Sequence, residues 1–239
     1  MKKNLIFDIC FYPKKYLSLI TCIEHVNNIL KIQQQYLYKE QDWYLCSTTK
    51  KKSSIHKGFD RNGVTEIGLH KLTNEYNKDK KHFCLSIWDK KTEEAGLAYS
   101  IYEQTCGQPF KVEIRLDYDV LLSEIALNNI QKFCLALSEQ FDGAYIMVNN
   151  NYEIEKQIFP DRLSAAWMIY LPEVQLSHNM VPQAFDVISG TDHEEQAAGS
   201  LVITVPHFFD EKNIDDIKAV NRVDTKLHEL GLLPLYADI

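Results

Sequence analysis

Residues 159–172 read Phe-Pro-Asp-Arg-Leu-Ser-Ala-Ala-Trp-Met-Ile-Tyr-Leu-Pro. Pro160 and Pro172 bracket an apolar run that holds Trp167, Met168, Ile169, Tyr170 and Leu171. Proline has no amide proton to give to a ladder, so it favours strand ends over strand middles. A short aromatic and β-branched run between two such stops predicts a buried strand. Asp161 and Arg162 stand at its mouth, where a partner could reach them. No catalytic pattern lies in the run, which reads as scaffold.

Upstream of it, Ala144 to Val148 predicts a strand, set off by the Asp142-Gly143 break and the Asn149-Asn150-Asn151 turn. Before that break, Leu122, Ile125, Ile130, Phe133, Cys134 and Leu137 form a helical stripe that Asp119 could cap, after a strand at Lys111 to Leu116. Downstream, Ala184 to Ile188 and Ser200 to Val205 read as strands around an acidic turn, Gly190 to Glu195. Asp210 precedes a last helix with Ile214, Ile217, Val220, Val223, Leu227 and Leu230 on its apolar face, stopped at Gly231. The tail, Leu232 to Tyr236, packs back.

The first half has the same plan. Residues 4–12 predict a strand, and Leu19, Ile20, Ile23, Val26, Ile29 and Leu30 recur at helical steps between Lys15 and Tyr38. Trp43 to Thr48 is a short strand, Lys50-Lys51-Lys52 a solvated basic loop, and residues 57–81 are polar and poorly periodic outside Val64 to Leu72. His82 to Trp88 and Gly96 to Tyr102 form a hairpin over the charged turn between them. The expected class is α+β: mostly antiparallel sheet with long helices packed on it, as two similar halves of one continuous structure. A single domain over 1–239 is expected, with a basic part, 1–110, and an acidic part, 111–239.

That charge division is steep. Residues 1–110 hold 17 Lys/Arg against 12 Asp/Glu and residues 111–239 hold 9 against 21, so halves of +5 and −12 make up the net −7. An acidic surface repels nucleic acid and attracts basic proteins. The six cysteines, Cys10, Cys22, Cys46, Cys84, Cys106 and Cys134, include no C-x-x-C pair. All but Cys106 lie in apolar segments, which reads as reduced buried thiols and a cytoplasmic home. No stretch approaches the roughly 20 apolar residues of a membrane span.

Chemistry is sparse. There is no G-x-S-x-G, no phosphate-binding glycine loop and no H-E-x-x-H. His193 with Asp192, Glu194 and Glu195 is the densest titratable group, but neighbours in one loop seldom converge on an ion without distant ligands. Pro160-Asp161 lacks the downstream acid-x-lysine that a restriction-type nuclease needs. A hydrolase with dispersed site residues and a nucleic-acid-binding module on the basic half remain as alternatives, without a motif behind either.

The segment Phe159-Pro160-Asp161-Arg162…Trp167-Met168-Ile169-Tyr170-Leu171-Pro172 resembles the bacterial immunity protein 52 family. The likeness continues through Gly199 to Val205, Phe209 to Asn213, Asn221-Arg222 and the tail Leu233-Pro234-Leu235-Tyr236-Ala237-Asp238. The first half fits by plan only, and Leu163-Ser164-Ala165-Ala166 replaces a segment richer in glycine. The resemblance implies a non-enzymatic cytoplasmic immunity protein without metal or cofactor. Its partner would be a polymorphic toxin, mostly a restriction-endonuclease-fold nuclease, used in interbacterial competition and often delivered by type VI secretion. Asp161, Asp192, Glu194, Glu195, Asp210 and Glu211 are then the candidate contacts, with Arg162 beside them and Trp88 and Tyr152 as aromatic anchors.

Overall fold

A computed structural model of the chain describes residues 2–15, 17–37, 42–47, 55–80, 82–90, 95–102, 111–121, 127–149, 156–191 and 196–238. The class is α+β, and the strand pairs whose register lies among the described residues are antiparallel. Contacts divide the chain into two compact units, Tyr12–Asp119 and Met1–Phe11 with Val120–Ile239.

In the unit Tyr12–Asp119 the strands are β2 (Trp43–Leu45), β3 (Lys57–Asp60), β4 (Gly63–Val64), β5 (Cys84–Asp89), β6 (Ala95–Tyr102) and most of β7 (Lys111–Leu121). They lie in the order β7-β6-β5-β2-β3-β4. Burial alternates at period two: Leu85 and Ile87, Ala95, Leu97, Tyr99 and Ile101, then Val112, Ile114, Leu116 and Tyr118 are buried. The register stacks them on one face. Against that face lies helix α1 (Leu19–Tyr36), whose His25 Nδ1 is 2.8 Å from the Tyr99 hydroxyl and whose Gln33 accepts from Tyr118 at 3.1 Å. The intervening residues, Cys84, Ser86 and Trp88 among them, are exposed or half-buried, as in an antiparallel sheet with one wet side.

The polar stretch 57–81 holds more structure than its sequence suggests. It forms β3, β4 and helix α2 (Glu66–Lys78), whose Thr65 cap accepts from the Gly68 N–H at 3.0 Å. Only Gly68, Leu72 and Tyr76 are buried on α2, a stripe too narrow to stand out by hydropathy. Ile20, placed on the stripe of α1 by spacing, is instead 67% exposed, because at 3.6 residues per turn it points about 120° away from the centre of the stripe formed by Cys22, Ile23, Val26, Ile29, Leu30 and Gln33.

The other unit places its strands in the order β10-β11-β9-β8-β1: β10 (Asp186–Thr191), β11 (Ala197–Ile203), β9 (Met168–Pro172), β8 (Tyr145–Asn149) and β1 (Lys2–Phe11). Its central strand is buried on both faces, since all five residues of β9 are buried, while β8 alternates buried with half-buried positions. Helix α3 (Leu127–Gln140) covers one face, with Phe133 edge-on to Phe7 at 4.8 Å. Asp119 lies within β7, which runs on to Leu121, so it does not cap α3. Helix α4 (Ile214–Glu229) is capped by Asn213, three residues beyond Asp210. Its predicted face positions Ile214 and Leu230 are 59% and 37% exposed, while Val220, Val223 and Leu227 are buried.

On the α3 side of β9, Tyr170 reaches across β11 to β10. A Cβ at Gly199 would stand 2.5 Å from both the Leu171 carbonyl and the Tyr170 hydroxyl, and one at Gly190 would stand 2.7 Å from the Tyr170 ring. Gly190 and Gly199 are register partners, so together they open the notch that the ring fills. Gly199→Ala is expected to cost about 1–3 kcal/mol, since the backbone carbonyl cannot swing aside as a side chain would. A urea melt of the variant against the parent, with unchanged slope and a lower midpoint, is the check.

Candidate functional site

Strand β9 is launched from a strained segment that α4 holds in place. Ala166 has φ +44°, a left-handed backbone that residues with a Cβ avoid at a cost of roughly 1–2 kcal/mol. Asp224 of α4 grips the segment: its Oδ1 accepts from the Ala165 N–H at 2.6 Å and its Oδ2 from the Ser164 hydroxyl at 2.7 Å. Ser164 Oγ accepts from the Ala166 N–H at 3.1 Å, and the Thr204 hydroxyl donates to the carbonyls of Ala166 and Trp167. Asp224 is 1% exposed. Burial pushes its carboxyl up to about 6, partly opposed by the two hydrogen bonds.

The start of α4 is a second buried carboxylate. Asp216 accepts from the Asp210 N–H at 2.9 Å and from Asn213 Nδ2 at 2.9 Å, and its Oδ1 lies 3.0 Å from His207 Nε2. Asn213 Oδ1 caps the Asp215 N–H. Acids at the N-terminal end of a helix also suit its dipole. Neither Asp216 nor Asp224 stands out from the sequence as a site. The signal was two acids eight residues apart, in line with Val220 and Leu227 on the buried stripe.

The motif residues around 160 are tied to the tail. Arg162 Nη1 donates to the Leu233 carbonyl at 2.8 Å, the Leu163 N–H to the Pro234 carbonyl at 3.1 Å, and the Tyr236 N–H to the Asp161 carbonyl at 3.0 Å. Phe159 stacks on His228 at 4.3 Å. Arg162 is therefore a staple, half-buried, and no ion pair joins it to Asp161, whose side chain is exposed.

The remaining candidates separate. Asp210 is half-buried and closes a turn by accepting from the Lys212 N–H at 3.1 Å. Glu211 is half-buried, and its Oε2 is in the interior without a hydrogen-bond partner. Trp88 stands half-buried on the wet face of β5, opposite Gly96 and Tyr44, and the Tyr44 ring carries the Lys90 ammonium at 5.0 Å. Tyr152, Asp192, Glu194 and Glu195 lie outside the described residues, as do His193 and Cys106. The five described cysteines are free thiols. Cys22 and Cys134 are buried, with Cys22 pushed up to about 11 by burial, but Cys46 and Cys84 are exposed, contrary to expectation. Cys84 falls on the wet side of its strand, which the apolar look of the segment hid.

Among the described residues no three His, Cys, Asp or Glu side chains gather as a metal site, and no helix is long and apolar enough to cross a membrane. The chemistry on view is that of acceptors held for structure and carboxylates left for solvent.

Because folding raises the carboxyl of Asp224 above its ordinary range, the folded state binds more protons than the unfolded chain between about pH 4 and 6. The stability this group allows is complete below that window and falls as pH rises through it. Asp224→Asn is expected to flatten that segment of the stability–pH curve, a difference of roughly 3 kcal/mol across the two pH units. Urea melts of both proteins from pH 4 to 7 test it; parallel curves would refute it.

No family model and no curated protein matches the chain. Among solved structures it is similar to the Pseudomonas aeruginosa T6SS protein PA0821, over 94% of this chain and 77% of that one, at 9% identity and a TM-score of 0.49.

Proposed function

We propose that the chain is an immunity protein that binds and neutralises an antibacterial toxin, a nuclease effector of the kind delivered by type VI or related secretion. The observation that carries this reading is the charge division: residues 111–239 bear a net −12. Among the described carboxylates there, Glu139, Asp142, Asp161, Glu173, Asp186 and Asp238 face solvent, while Asp216 and Asp224 are spent inside. A nuclease holds phosphates in a basic cleft, so an acidic protein surface competes for it and speeds the encounter electrostatically.

The resemblance to immunity protein 52 supports the same reading. Its residues serve as scaffold: the Pro160-Asp161-Arg162 turn clasps the Leu233–Tyr236 tail, and the Trp167–Pro172 run is core. A motif that specifies a frame rather than a reactive group suits a protein that works by binding.

The test is co-purification with the toxin domain encoded by the neighbouring reading frame, followed by a nuclease assay with and without this chain. A complex that silences cleavage, and weakens as salt rises, is expected. The Asp192→Lys, Glu194→Lys, Glu195→Lys triple variant is expected to lose well over tenfold in affinity, through like-charge repulsion of a basic partner. Cleavage unchanged by the chain would overturn the reading.

A further inference from the structure

The clasp between the Pro160-Asp161-Arg162 turn and the tail is made by backbone atoms and one guanidinium, which leaves most of its side chains facing outward. Ile158 is 41% exposed and Tyr236 38%, although burying large apolar groups stabilises a fold. Pro160 is exposed beside them, and Phe159, half-buried, holds its ring on His228. These residues make one patch: the Tyr236 N–H donates to the Asp161 carbonyl, and the Tyr236 hydroxyl lies beside the Gln157 side chain. The patch is also held from several sides. The amides of Arg162, Leu163, Tyr236 and Asp238 are bonded to the carbonyls of Phe159, Pro234, Asp161 and Leu235. An apolar surface ordered in advance loses little freedom on binding.

The polar groups around it accept rather than donate. Asp161 and Asp238 are exposed, and among the described residues no cation pairs with either. The neighbouring cations turn to acceptors of this chain instead. Lys156 donates to the Glu211 carbonyl at 3.4 Å, Arg162 to the Leu233 carbonyl and Lys226 to Glu229 at 3.3 Å. Gln157 Oε1, buried beside Tyr236, has no donor. Helix α4 ends here, and the C-terminal end of a helix dipole favours positive charge.

An apolar and aromatic centre with unpaired carboxylates at its rim selects among occupants. A second copy set face to face would bring like charges together, which opposes pairing. A lysine- or arginine-rich surface finds carboxylates to pair with and aromatic faces for its cations. We propose that the clasp face, formed by Ile158, Phe159, Pro160 and Tyr236 with Asp161 and Asp238 at its rim, docks a basic surface of the toxin domain. This rests on the reading of the chain as a toxin-binding protein and names the surface used. The motif then has two tasks: its backbone builds the frame, and its outward side chains meet the partner.

The experiment titrates the toxin domain of the neighbouring reading frame, inactivated by substitution, into the full chain by calorimetry. It compares the parent with Asp161→Lys, Tyr236→Ala and Glu24→Lys, each verified by thermal melting. Glu24, exposed on α1 in the other unit, makes the same charge change away from the patch. Asp161→Lys and Tyr236→Ala are expected to weaken binding about tenfold or more, Glu24→Lys less than about threefold. Hydrogen exchange on the parent complex should add protection at Arg162, Leu163 and Tyr236, a readout that needs no variant to fold. Unaltered affinity in both patch variants, equal losses from Asp161→Lys and Glu24→Lys, or unchanged exchange at those amides would overturn the clasp assignment and leave the toxin partnership standing. No binding by the parent would instead overturn the partnership, and the clasp assignment with it.

Discussion

One buried carboxylate sets the frame of the unit that holds the acidic half. Asp224 turns its two oxygens to Ala165 and Ser164, and the chain can then pass through a left-handed residue at Ala166 and enter β9 in register. A one-residue slip there would exchange the two faces of a strand buried on both sides. The cost is a desolvated charge, which is why burial raises this carboxyl so far. The strand's far end is bracketed likewise, since Glu173 sits at φ +60° with its N–H on the Ala198 carbonyl. The left-handed residue here is an alanine, and hydrogen bonds hold its backbone.

The two units solve the burial problem differently. The sheet in Tyr12–Asp119 hides one face beneath α1 and leaves the other wet, so its strands alternate. In the other unit β9 is buried on both faces, and packing tolerates little room: Tyr170 lies where only two facing glycines permit it. Carboxylates of that unit accordingly fall into two sets, those locked inside by Ser164, Asn213 and backbone amides, and those on the surface.

Much of this was legible in the chain itself. Alternation gave the hairpin around residue 90, spacing gave α1, α3 and α4 within a few residues, and the prolines marked the ends of the β9 run. These follow from local rules: a side chain's face is fixed by its position along a strand or helix, and proline's missing amide acts wherever it stands. The uneven charge was legible too, because it is a sum over residues and needs no geometry. Helix α2 was not, since its buried stripe is three residues wide and is completed by packing on β3, where Gly68 touches the Gly58 carbonyl.

Tertiary structure alone decided what the polar residues do. Arg162 and Asp161 are neighbours in sequence, yet the guanidinium goes to a carbonyl 71 positions away, because a half-buried charge takes the acceptor that the fold brings to it. Asp216 and Asp224, which nothing in the sequence singles out, are the buried anchors of their helix. Which strand is left at an edge is equally a global outcome, since it depends on the pairing of every other strand. The sequence by itself determined the elements, their faces and the acidic character of the second half. The order of strands and the internal fate of each carboxylate came only from the folded chain, because each depends on groups far apart along it.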